Sequence, residues 1–276
     1  MSFKTLISFS LLAVVILSAC GSSQTIRPGD SLEVAFGKAM NLYERERFRD
    51  AARAFETVVS MSRGTEVGQE AQYLLARSYF RAGDYRIAAS EYGRYAIFYP
   101  RSQRLEETAF YEALSFYRLS PRYNLDQTDT YNALERFQLF LSRYPNSERA
   151  QDAVEYIDEM RNKLAKKTFR AAEQYMTLRQ YRSAAIYFGL VLDRFPGTTF
   201  AEEALANQIR AYVIFADNSV IERQEERYRK AIESYESYIQ LFPNGMHRTL
   251  AEEFLARAEE GANRAQRHMQ AISNAE

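Results

Sequence analysis

Tyr85-Arg86-Ile87-Ala88-Ala89-Ser90-Glu91-Tyr92, closed by Tyr99-Pro100, decides the fold because it recurs along the chain. Phe48-Arg49-Asp50-Ala51-Ala52-Arg53-Ala54-Phe55, Thr130-Tyr131-Asn132-Ala133-Leu134-Glu135-Arg136-Phe137, Tyr181-Arg182-Ser183-Ala184-Ala185-Ile186-Tyr187-Phe188 and Tyr228-Arg229-Lys230-Ala231-Ile232-Glu233-Ser234-Tyr235 superpose on it. Each places a small residue four positions before an aromatic, so both share one helical face. Four copies run into an aromatic-proline pair, at Tyr99-Pro100, Tyr144-Pro145, Phe195-Pro196 and Phe242-Pro243. Proline cannot continue the helical ladder and ends the segment there. Upstream of each copy sits a further small residue, at Ala39, Ala76, Ala113, Ala172 and Ala211. The unit is therefore a pair of helices brought close together by two alanines.

Ala, aromatic and terminal Pro in this order resemble the tetratricopeptide repeat. The expected fold is all-α, a tetratricopeptide-like α-solenoid of about five helix pairs with a C-terminal capping helix over Met246 to Gln270. The two alanines lie 12 positions apart in pairs one, two and four, and 20 apart in pairs three and five. Eight extra residues are thus expected between the helices of those two pairs, as loops over 121–128 and about 217–225. No Pro or Gly occurs from Ser147 to Arg179, which predicts one long helix shared by pairs three and four. Ser102, Ser147 and Thr198 or Thr199 are expected as N-caps.

The amino terminus has a separate function. Lys4, an apolar run from Leu6 to Leu17 and then Ser18-Ala19-Cys20 read as a secretory signal peptide over 1–19, too short to span a bilayer. Leu17-Ser18-Ala19-Cys20 resembles a bacterial lipobox, which implies acylation of Cys20, the single cysteine of the chain. Residues 20–31, polar and broken by Pro28-Gly29, read as lipidated Cys plus flexible tether. N-terminal repeats one to three are expected over 32–145. Repeats four and five with the cap follow over 146–276, the two parts joined by the helix 147–179. With Lys4 removed, 35 of the 36 Lys and Arg remain against 36 Asp and Glu. Such neutrality argues against nucleic acid as the main partner. The two histidines, His247 and His268, form neither a metal pair nor a triad, and no Gly-rich phosphate loop is present. No cofactor, no metal site and no catalytic residue is expected.

The lipobox followed by five such repeats is similar to the BamD/ComL family of outer-membrane β-barrel assembly lipoproteins. The likeness rests on Arg143-Tyr144-Pro145-Asn146-Ser147 running into Arg161-Asn162-Lys163-Leu164-Ala165-Lys166-Lys167, on Ala171-Ala172-Glu173-Gln174-Tyr175 and on Asp193-Arg194-Phe195-Pro196. Ser120 to Thr128 resembles the repeat-three loop of members outside the enteric bacteria. The resemblance implies a non-enzymatic scaffold, lipid-anchored to the outer membrane and facing the periplasm. Its C-terminal half would dock the periplasmic domains of the barrel-forming subunit, BamA. Its N-terminal half would receive the targeting strands of unfolded outer-membrane clients. First helices line the concave face of such repeats, which makes Phe36, Met40, Tyr43, Tyr73, Arg77, Phe80, Phe110, Leu114 and Tyr117 candidates for a peptide-binding groove. Packing between repeats is the plainer reading of the same residues. Arg170, Arg179 and Arg182 are the candidates for partner docking, against the plainer reading of a solvated charged face. Another periplasmic tetratricopeptide adaptor, serving pilus or envelope assembly, and a glycan-binding surface lipoprotein remain as alternatives.

Overall fold

A computed structural model describes residues 25–274; the expected signal peptide, Cys20 and the tether up to residue 24 lie outside the described residues. Among the described residues there are eleven helices and no strand. They divide between Leu119 and Ser120 into two compact units. The division runs through the third helix pair, whereas the repeats alone suggested a boundary after residue 145.

Unit 1 holds α1 (Leu32–Glu44), α2 (Phe48–Met61), α3 (Glu66–Ala82), α4 (Tyr85–Phe98) and α5 (Leu105–Leu119), each packed on the next. Ser31 Oγ accepts from Val34 N–H to start α1, and Thr65 Oγ1 accepts from Gly68 N–H to start α3. Ala39 and Ala51 are fully buried where α1 meets α2, as are Ala76 and Ala88 where α3 meets α4. With only methyl groups at the crossing, the aromatics Phe55, Tyr92 and Tyr95 close over the gap and are themselves out of solvent. The described end of the tether is folded. Asp30 accepts from Arg27 N–H and pairs with Lys38 at 2.7 Å, while Ile26 packs against the core.

Unit 2 holds α6 (Thr128–Arg143), α7 (Ala150–Thr177), α8 (Tyr181–Arg194), α9 (Ala201–Asp217), α10 (Ile221–Leu241) and the terminal α11 (Arg248–Ser273). The long helix is present, shortened by three residues at its start and by two at its end. The predicted caps fall just short of the helices: Ser147 Oγ accepts from Arg149 N–H and Ser102 Oγ from Arg104 N–H in the turn that precedes each helix, while Phe200 takes the cap position of α9 and the Thr198 and Thr199 hydroxyls donate to Phe195 O and Asn162 Oδ1. Residues 120–127 form the expected loop. The second insertion is a correction, since α10 begins at Ile221 and the extra residues add helix. Ile221-Glu-Arg-Gln-Glu-Glu-Arg contains neither Gly nor Pro, and pairs such as Glu225–Arg229 at 2.7 Å favour continuation. The α11 helix lies on both α9 and α10 and buries its own Phe254, Ala258 and Ala265.

Two joints repeat. Between second and first helices, Tyr99, Tyr144, Phe195 and Phe242 all have φ near −130° and ψ between 50° and 63°. The following proline excludes the helical region at that residue. Between first and second helices, Glu46, Gly83 and Arg179 all adopt positive φ, at 58°, 82° and 59°. Each carries the same hydrogen-bond pair, for instance Asp84 N–H to Tyr79 O at 2.9 Å beside Gly83 N–H to Phe80 O at 3.1 Å.

Candidate partner-binding surfaces

In unit 1 the nine candidates fall at the same register on three first helices: Phe36, Met40 and Tyr43 on α1, Tyr73, Arg77 and Phe80 on α3, Phe110, Leu114 and Tyr117 on α5. Spacings of four and three keep each trio on one face. Burial separates them. Tyr73, Phe110 and Leu114 are buried, while the other six are half-buried. Phe36 and Tyr43 meet Phe55 edge-on at 6.0 and 6.4 Å, and Phe80 meets Tyr111 at 5.1 Å, so these rings are braced from behind.

Tyr73 is the centre of a polar knot between α3 and α5. Its hydroxyl donates to Glu107 at 2.8 Å and accepts from Arg77 at 2.6 Å. The Arg104 guanidinium lies 4.2 Å from the ring centroid and pairs with Glu70 at 2.8 Å. Burial, followed by the hydrogen bond to Glu107, pushes the Tyr73 phenol up to about 12. Arg77 retains 38% of its side-chain exposure and is held by Tyr73 and Glu107, which fixes a cation at the rim of the aromatic row.

In unit 2 the docking candidates lie on two helices and the turn between them. Arg170 is exposed on α7 and paired with Glu173 at 2.6 Å. Arg179 stands at the tip of the α7–α8 turn, and Arg182 is exposed in the first turn of α8. Sequence reasoning used Arg161 to Lys167 only for its resemblance and missed what these residues do. Lys163 donates to Ser120 Oγ at 2.7 Å and to Pro121 O at 3.4 Å, Lys167 donates to Leu125 O, and Lys166 lies 4.9 Å from the Tyr123 ring. Burial lowers the Lys163 ammonium pKa. On the other flank Asn162 Oδ1 accepts from Thr199 N–H at 2.9 Å and from its hydroxyl at 3.1 Å, and Arg161 donates to Pro196 O at 3.1 Å. The segment is a set of staples that reach from α7 to the 120–127 loop and to the 196–199 turn. Contacts more than thirty residues apart leave no periodic trace in a sequence. Among the described residues there is no group of His, Cys, Asp and Glu arranged to hold a metal, and no helix is long and apolar enough to cross a membrane.

Residues 29–226 match the YfiO family, described as outer membrane lipoprotein. Among curated proteins, the outer membrane protein assembly factor BamD of Rickettsia prowazekii is 23% identical over 218 residues, covering 78% of this chain and 86% of that protein. A putative outer membrane protein assembly factor BamD of Aquifex aeolicus is 27% identical over 232 residues, covering 83% and 74%. Among solved structures, the P58(IPK) TPR domain aligns with a TM-score of 0.40 at 14% identity, over 85% of this chain and 66% of that one. With the family match extending over most of the sequence, the chain belongs to the YfiO family of outer membrane lipoproteins, which includes the BamD assembly factors.

Proposed function

We propose that this chain is an assembly factor for outer-membrane β-barrel proteins, held at the membrane by lipid on Cys20 and working in the periplasm as a scaffold without catalysis. Family membership carries the general reading. The division of labour is finer. Unit 1 receives the aromatic targeting strand of an unfolded client along the α1, α3 and α5 face, and unit 2 docks a BamA-like subunit through the α7–α8 region with Arg170, Arg179 and Arg182. The observation that supports the client site is the shared register of Phe36, Met40, Tyr43, Arg77, Phe80 and Tyr117. All are half-buried on first helices, with Phe36, Tyr43 and Phe80 braced by rings behind them. Aromatic and thioether groups suit an extended apolar peptide, and a fixed guanidinium suits a carboxylate or a ring face.

The test is a pull-down from detergent-solubilised membranes of the native host through a C-terminal tag, with stoichiometric partners identified by mass spectrometry. A large β-barrel protein with periplasmic repeat domains is expected. Pilus or peptidoglycan proteins in its place would overturn the proposal. Tyr73→Ala and Phe110→Ala are poor probes of the face, because both remove buried side chains and test stability as much as binding. Met40→Ala and Arg77→Ala cut half-exposed groups, and are expected to weaken capture of a client C-terminal peptide at least several-fold with the helical spectrum unchanged.

A further inference from the structure

Helices of unit 1 alternate in direction, so the starts of α1, α3 and α5 lie at one end with the ends of α2 and α4. Contacts confirm the shared end: the Tyr99 phenol reaches the backbone of Gly64, Gln69 donates to Ser102 Oγ at 3.0 Å, and Arg104 pairs with Glu70. Six large apolar side chains of the described part of unit 1 are exposed, and five of them are at this end. They are Val34 in the first turn of α1, Met61 closing α2, Val67 in the first turn of α3, and Ile97 and Phe98 closing α4. Ile97 is 75% exposed and Phe98 59%. The helix ends that correspond to Ile97-Phe98 in α6 and α8 carry Ser142-Arg143 and Asp193-Arg194, as water-facing ends should, and α10 carries Gln240-Leu241. Loop arginines flank the apolar residues, Arg63 beside Met61 and Arg101 beside Phe98, with Glu33 and Glu66 as the exposed acids of the same end.

The chain enters unit 1 at this end. Four residues separate Cys20 from Thr25, and the five steps between them have a contour of at most about 18 Å; Ile26 and Asp30 bind the following turn to α1. We infer that this end of unit 1 is a membrane-contact face: Phe98, Ile97 and Met61 enter the interface of the phospholipid leaflet that holds the lipid on Cys20, with Arg63 and Arg101 at the level of the phosphates. The inference rests on the anchor proposed above. A short tether keeps the face at high effective concentration over the bilayer, so weak apolar insertion suffices. Contact at a second point also limits rotation of unit 1 about its anchor.

The chain has no tryptophan, so one introduced residue reports alone. The full mature lipoprotein carrying Phe98→Trp is reconstituted in vesicles of phosphatidylethanolamine and phosphatidylglycerol, with and without bromine on the acyl chains. Ile87→Trp, at an exposed site in the first turn of α4 and so at the opposite end of unit 1, is the comparison. Both samples are checked for acyl mass on the Cys20 peptide. With Cys20 acylated, Phe98→Trp emission is expected to shift to the blue and to lose most of its intensity in brominated vesicles, while Ile87→Trp does neither. Should both reporters behave alike on acylated protein, or Phe98→Trp shift without quenching, the face fails and the anchor stands. Absence of acyl mass on Cys20 sinks the anchor, and the face with it. Met61→Trp repeats the measurement at a second site should Phe98→Trp fold poorly.

Discussion

Arg179 is in the left-handed region at φ 59°, where the equivalent joint of repeat two has Gly83. A side chain with a Cβ pays about 1 kcal/mol for that conformation, so Arg179→Gly is expected to raise unit-2 stability by up to that amount in a denaturant titration. The same substitution is a clean probe of docking, since any loss of partner capture in a protein at least as stable reports the guanidinium alone. Gly261 is the opposite case. A Cβ there would enter the buried ring of Tyr228, whose hydroxyl donates to Asp217. Gly261→Ala is expected to cost about 1–3 kcal/mol as overpacking between α10 and α11, read as a lowered thermal midpoint. Tyrosines supply a pH prediction. Tyr73 is raised from 10.0 to about 12 by burial and by Glu107, and burial also raises Tyr79 and Tyr238. A raised group contributes its stability below its unfolded value and loses it as pH climbs through the folded one. Helical signal should therefore hold to about pH 10 and fall between there and about 12, with the last part of the phenolate absorption rising in the same window; ionisation of all twenty tyrosines before any helix loss would contradict the burial of these rings.

At the scale of elements, what the sequence reveals and what it hides follow from range. The five Ala-aromatic segments all became second helices because their information lies within one turn of helix. Ala51, Ala88, Ala133, Ala184 and Ala231 are each fully buried. Both insertions were detectable from the 20-residue spacing, yet one is loop and the other helix. Pro121 and Asn124 break the first, while the second is made of strong helix formers. The staples from α7 were not detectable at all, nor was the burial of Tyr73, Phe110 and Leu114 against the half-exposure of their register mates. Those facts depend on which helix comes to lie alongside. Lys163→Met and Asn162→Ala separate the two flanks of α7. The first is expected to speed hydrogen exchange in residues 120–127, the second in 196–199, each at about 1 kcal/mol per lost bond and with the long helix intact.

Across the molecule, every strong contact joins helices that are neighbours in the chain, apart from α9 with α11. Stability in such a fold is a sum of local units and nearest-neighbour interfaces. Removing 248–273 uncovers apolar surface on α9 and α10, so hydrogen-exchange protection is expected to fall most in those helices and least in α1 and α2. A uniform loss from end to end would show a single cooperative block instead.

Both insertions fall between the first and second helices of a pair, whereas the aromatic-proline joints at Tyr99, Tyr144, Phe195 and Phe242 keep nearly the same dihedral angles. Growth of the chain has thus been confined to one phase of the repeat. A segment cut from one such joint to the next is a cassette whose two ends already match in geometry. Recombination at those joints could lengthen, shorten or shuffle the protein without re-engineering its turns, while the interval between paired helices is left as the place where new surface is acquired.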